Sequence, residues 1–149
     1  MQVSLNAMLR SGQLGELRYG MSQEEVRVLL GEPDAVGGGS RKYPHPSILL
    51  YGTVELNFEP LRPHGLTSFW WEAGEKGAFR LTAACEVVDW AFTPEWTLVQ
   101  VEDYLNALDL PCEYPEMPSS EESATPVIVR ESGVRISFNS GKLYGIWGS

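Results

Sequence analysis

Two stretches of this chain follow one pattern. Val54-Glu55-Leu56-Asn57-Phe58 and Val134-Arg135-Ile136-Ser137-Phe138 each alternate apolar with polar residues. A period of two belongs to a strand with one buried face and one wet face. Each is followed by a glycine-containing break and a second apolar run: Leu66, Phe69 and Trp70 in the first, Leu143, Ile146 and Trp147 in the second. A strand pair that occurs twice constrains the fold more than any single element, because both copies must bury the same face.

Helix signals recur in step with the strands. In MSQEEVRVLLGEPD, Ser22 can cap a helix while Glu25 returns a bond to the cap's own amide, the reciprocal capping box. Val26, Leu29 and Leu30 fall on one helical face, and Gly31 with Pro33 stops the helix. Further on, TLVQVEDYLNALDLP supplies Thr97 as cap, Gln100 as its box partner, Val101, Tyr104 and Leu105 on the buried face, and Pro111 beyond the end. SILLYG and TPVIVRES read as strands before each pair, AFRLTAACEVVDWAF as one or two linking strands, and SLNAMLRSGQL places Leu5, Met8 and Leu9 at helical spacing. The expected architecture is α+β. It has two tandem repeats, 1–75 and 76–149, each a helix or helix-loop-helix followed by an antiparallel β-meander. The repeats pack as one domain with the helices on one face of the sheet.

The run LRYGMSQEEVRVLLGEP, followed by SRKYPHPSILLYGTVELNF and GLTSFWW, resembles the repeat of β-lactamase-inhibitor-protein-like domains, a group that includes small lipoproteins of outer-membrane assembly. Its opening cadence is also similar to that of small bacterial proteins, some of which act as immunity proteins. The resemblance implies a concave sheet that binds another protein. No lipobox-like cysteine stands near the start, so the lipoprotein role is not carried over. The second half lacks the Gly-Met-Ser and Leu-Gly-x-Pro wording and keeps only the capping and apolar spacing.

Charge narrows the partner. The 149 residues carry 11 basic and 20 acidic side chains, a net charge of -9. No lysine or arginine occurs from Leu81 to Val129, while Glu86, Asp89, Glu95, Glu102, Asp103, Asp109, Glu113, Glu116, Glu121 and Glu122 all fall there. Phosphate neutralisation needs clustered cations, so nucleic acid is excluded and a basic protein is favoured. No apolar run is long enough for a membrane span and the start lacks signal-peptide character, which points to the cytoplasm. Cys85 and Cys112 have neither metal-site nor redox spacing, so no metal and no cofactor is expected.

Catalytic patterns are sparse. His45 and His64 lie in separate proline-flanked loops, AVGGGSRKY follows a helix instead of leading into one, and neighbouring carboxylates such as Glu24 and Glu25 diverge by about 100° on a helix. The chain reads as a non-enzyme. Its large rings are the better candidates. Trp70 and Trp71 are adjacent and point to opposite faces of a strand. Trp70 has a counterpart in Trp147 and is expected to be structural, whereas Trp71 meets only Gly148 and is expected on the open face. The predicted partner-binding residues are Trp71, Trp96, Glu95, Glu102, Asp103 and Glu113. Together they describe an immunity or inhibitor-like module, monomeric or weakly dimeric, that neutralises a basic toxin or effector by steric and charge occlusion. The alternative is a small-ligand or peptide-binding domain with its cleft between the repeats.

Overall fold

A computed structural model of the chain describes residues 1–115 and 126–149. In chain order its elements are β1 (Gln2–Ser4), α1 (Leu5–Ser11), α2 (Gln23–Leu30), β2 (Ala35–Gly37), β3 (Ile48–Tyr51), β4 (Val54–Phe58), β5 (Leu66–Trp71) and α3 (Ala73–Lys76). They continue with β6 (Glu86–Val88), α4 (Leu98–Ala107), β7 (Cys112–Glu113), β8 (Val127–Val129), β9 (Arg135–Asn139) and β10 (Lys142–Gly148).

Eight strands form one antiparallel sheet in the order β2-β3-β4-β5-β10-β9-β8-β7. Two meanders therefore meet at the β5–β10 pair, where Ile146 lies opposite Trp71, Trp147 opposite Trp70 and Gly148 opposite Phe69. Strands from 1–75 and from 76–149 share this single sheet. Both capping boxes are present: Ser22 Oγ accepts from the Glu25 amide while Glu25 accepts from the Ser22 amide, and Thr97 with Gln100 does the same for α4. Each satisfies amides that a helix start leaves without partners.

One face of the sheet is the core. Leu49 and Tyr51, Val54, Leu56 and Phe58, Phe69 and Trp71, Ile136 and Phe138, Leu143 and Ile146 are all buried, together with Leu5, Met8 and Leu9 of α1, Val26 and Leu30 of α2, and Val101 and Leu105 of α4. Both central strands break their alternation once. The β4–β5 register slips so that Phe58 faces Leu66 and Asn57 faces Ser68, and the β10–β9 register slips between Leu143 and Gly145. Each bulge inserts one residue, Thr67 or Tyr144, and lets residues three apart share a face.

Of the one or two strands expected in the linking segment, one forms. This is β6, and it pairs in parallel with β1, outside the main sheet. Phe79 and Leu81 are buried, but from irregular backbone held by Thr53, whose amide donates to the Arg80 carbonyl at 2.9 Å and whose hydroxyl accepts from the Arg80 amide at 2.8 Å. The apolar alternation there reflects two side chains reaching the core, not a ladder. Asp89, in the same segment, caps α1 from across the chain: its carboxylate accepts from the Leu5 amide at 2.6 Å and from the Ser4 hydroxyl at 2.7 Å.

Candidate functional site

The register of the sheet fixes what its other face carries. Leu50, Glu55, Trp70, Trp147, Arg135 and Ile128 stand in one row across β3, β4, β5, β10, β9 and β8, because directly opposed residues of antiparallel strands project to the same side. Trp70 and Trp147 are half-buried at its centre, with ring centroids 6.1 Å apart, and Tyr144 lies 6.2 Å from Trp70 on the other side. The two bulges create this trio. With Thr67 inserted, Phe69 and Trp71 point inward and Trp70 outward; with Tyr144 inserted, Ile146 points inward and Trp147 outward.

Gly145 is the floor beneath Trp70. A Cβ at that position would lie 2.4 Å from Trp70 Cη2 and 2.7 Å from the Trp71 carbonyl oxygen, so only glycine lets the indole lie down. Gly74 of α3 does the same for Tyr144, since its Cβ would sit 2.6 Å from the ring. Polar groups rim the rings. The Tyr144 hydroxyl donates to Glu72 at 2.8 Å, a bond that raises the phenol above its ordinary range because ionising it would remove the donor beside a carboxylate. Lys76 pairs with Glu55 at 3.0 Å, and Arg135 is exposed with no ion pair among the described residues.

Beside Tyr144 the surface sinks into an open depression of about 260 Å³ between α3, the Pro94–Glu95 segment and the β9–β10 turn. Glu75, Glu95, Asn139, Lys142 and Tyr144 line it, and Lys142 holds Glu95 at 2.7 Å across it.

The sequence-predicted residues do not gather in one place. Trp71 is a correction: it is fully buried, its Nε1 donates to the Gly77 carbonyl at 2.9 Å, and the stacked pair Phe79 and Trp90 packs against it in T-shaped contacts. The bulge at Thr67 turned it inward, so it offers no surface to a partner. Trp96 is half-buried in a cluster with Phe92 and Tyr104. Glu95 and Glu113 are exposed, yet each is paired with a cation from outside the acidic stretch, Lys142 and Arg130 respectively. Glu102 accepts from the Tyr114 hydroxyl, which pushes that phenol up to about 12, chiefly through the bond itself. Asp103 is exposed on α4. Glu116, Glu121 and Glu122 lie outside the described residues.

Trp70, Tyr144 and Trp147 are the residues that sequence reasoning missed as surface candidates. A signal for them existed in the spacing of Leu66 to Phe69 and of Leu143 to Ile146. Both are odd intervals, which an unbroken strand would send to opposite faces. His45 and His64, from separate loops, stack at 4.0 Å with rings 7° apart where the β2–β3 and β4–β5 loops meet. Each Nδ1 lies against a backbone carbonyl, of Pro46 and Glu59 respectively, and the pair lines a shallow depression of about 160 Å³ with Glu24 and Ser22.

Burial and the nearby Glu102 raise the Cys112 thiol. Among the described residues no group of three or more His, Cys, Asp or Glu side chains is arranged to hold a metal ion, and no helix is long and apolar enough to cross a membrane. Comparison with family models, with curated proteins and with solved structures returned no match, so the reading of this face rests on its own residues.

Proposed function

We propose that this chain is a non-catalytic protein-binding module of the immunity or inhibitor kind, acting in the cytoplasm as a monomer or weak homodimer, and that it engages its partner with the open face of the sheet. The observation that carries the reading is the half-buried trio Trp70, Tyr144 and Trp147 at the centre of that face, framed by Glu55, Lys76, Glu72 and Arg135. Tryptophan and tyrosine dominate the energetic centres of protein interfaces, and a ring of polar groups that excludes water strengthens them. The net charge of -9 favours a basic partner, a toxin or effector, whose working surface would be blocked by the seated rings while the carboxylates speed encounter.

The same proposal covers the build of the face. We read the sheet as two α+β repeats, 1–75 and 76–149, with the capped helices packed on the core side, in the manner of the β-lactamase-inhibitor-protein-like plan. The mirror-image strand order supports this, as do the paired capping boxes and the bulges at corresponding places in β5 and β10. Trp70 then lies opposite its own counterpart, Trp147.

Co-expression with the product of the adjacent gene tests the reading. The expected result is a complex whose association slows steeply with added salt and which Trp147→Ala weakens by about 2 kcal/mol or more. A complex indifferent to both changes would overturn it.

A further inference from the structure

We propose that the depression beside Tyr144 is a socket for one arginine side chain of the protein partner; this rests on the protein-binding reading of the open face and names the chemistry that the partner must present. Three carboxylates stand in or beside the depression: Glu72, bonded to the Tyr144 hydroxyl, and Glu75 and Glu95, which line it with Tyr144. Against them stands one lining ammonium, Lys142, which is already committed to Glu95. Lys76, from the same helical turn as Glu75, is taken up by Glu55 on the sheet. The depression therefore holds an excess of negative charge. Lys142 shows that its wall accepts a cationic nitrogen at 2.7 Å.

Size points the same way. At about 260 Å³ and open to solvent, the hollow is smaller than the roughly 300–1,000 Å³ pockets that enclose small-molecule ligands, and suits a single side chain entering from a docked surface. Tyr144 lines the depression, and a planar guanidinium can stack on a tyrosine ring while its forked donors reach separate acceptors. Glu75 and Asn139 both lie in the lining, and Asn139 Oδ1, which accepts from the Ser140 hydroxyl at 3.3 Å, has a second lone pair to offer. An ammonium is a point charge and uses only part of this set. Because Tyr144 belongs both to the socket and to the aromatic trio, a partner presenting an arginine next to an apolar side chain would fill both at once. The Tyr144 phenol is raised first by its bond to Glu72, then by desolvation and by the charges of Glu72 and Glu75, the same carboxylates that stand beside the depression.

The probe is Nα-acetyl-arginine amide, titrated into the full chain at constant ionic strength while the backbone amides of Gly74, Ser140 and Lys142 are followed by NMR. Its neutral isostere, Nα-acetyl-citrulline amide, serves as the control. The socket predicts saturable shifts with the arginine compound in the millimolar range, weaker shifts with the lysine analogue, and none with citrulline. Glu75→Gln, an exposed and conservative change, should weaken arginine binding about fivefold, the upper end for an exposed ion pair, without altering the circular dichroism. Equal shifts with citrulline, no saturation, or an unchanged affinity in Glu75→Gln would overturn the socket. These outcomes are separable from the parent reading: a partner complex weakened by Trp147→Ala while the probe fails sinks the socket alone, whereas probe binding without any such complex sinks the protein-binding reading.

Discussion

Trp70 and Trp71 are neighbours in the chain and opposites in the molecule. Trp71 is closed in by Phe79 and Trp90 and anchored through its Nε1 to Gly77. Trp70, one residue away, lies half-buried over Gly145 with Tyr144 and Trp147 beside it. The sheet thus spends one indole on cohesion and leaves the other on a surface. Strand alternation sends the two to opposite faces, and the single inserted residue Thr67, not any chemical distinction between the side chains, decides which of them is buried.

The largest test of that contrast is deletion of the inner ring. Trp71→Ala should cost about 3–5 kcal/mol, as expected when a large buried aromatic is removed and its neighbours cannot collapse into the space. That is a large share of the roughly 5–15 kcal/mol that holds a domain folded. Trp147→Ala, on the open face, should cost about 1 kcal/mol. Denaturant titration of the two variants measures the gap, and equal costs would remove the distinction between the faces. A finer test concerns the floor of the patch. Gly145→Ala should lose about 1–3 kcal/mol, because the added methyl meets the Trp71 carbonyl, which cannot swing away as the Trp70 ring can. A neutral result would mean that the Trp71 carbonyl does not press on Gly145 of β10 as closely as the structure places it.

How far the sequence could be read follows the range of each interaction. Ser22 with Glu25 and Thr97 with Gln100 act within one helical turn, so the capping boxes and their helices were legible. Val54, Leu56 and Phe58, like Val134, Ile136 and Phe138, declare a buried face through local alternation, and both triplets are buried. The same local logic misplaced Trp71, because parity along a strand holds only until a bulge, and the odd Leu66–Phe69 spacing marks one. Contacts between distant segments left no local trace. Nothing near Asp89 says that it caps α1, nothing near His45 names His64, and the cations that neutralise Glu95 and Glu113 come from Lys142 and Arg130, beyond the acidic stretch. The acidity of the Leu81–Val129 stretch is therefore milder in space than in sequence.

The smallest test compares a phenol on each face. Tyr51, on the core side, donates to the Gly31 carbonyl at 2.8 Å, and burial pushes it up to about 12. Tyr144, on the open side, is raised first by its bond to Glu72. In both cases the folded value lies above that of the unfolded chain, near 10.0, so the stability each contributes is intact below that pH and is lost as the pH rises through the folded value. The causes differ, and a single substitution separates them. Glu72→Gln removes the carboxylate beside Tyr144 and should lower the titration of that phenol while leaving Tyr51 near 12, as followed by the ring resonances of each residue during an alkaline titration. If both phenols moved together, the two faces would share one electrostatic environment, and the carboxylates around Tyr144 could not be a local feature of the open side. If only Tyr144 moves, its neutral form is held by one replaceable partner at the surface, and the polar rim can be redesigned without disturbing the core behind it.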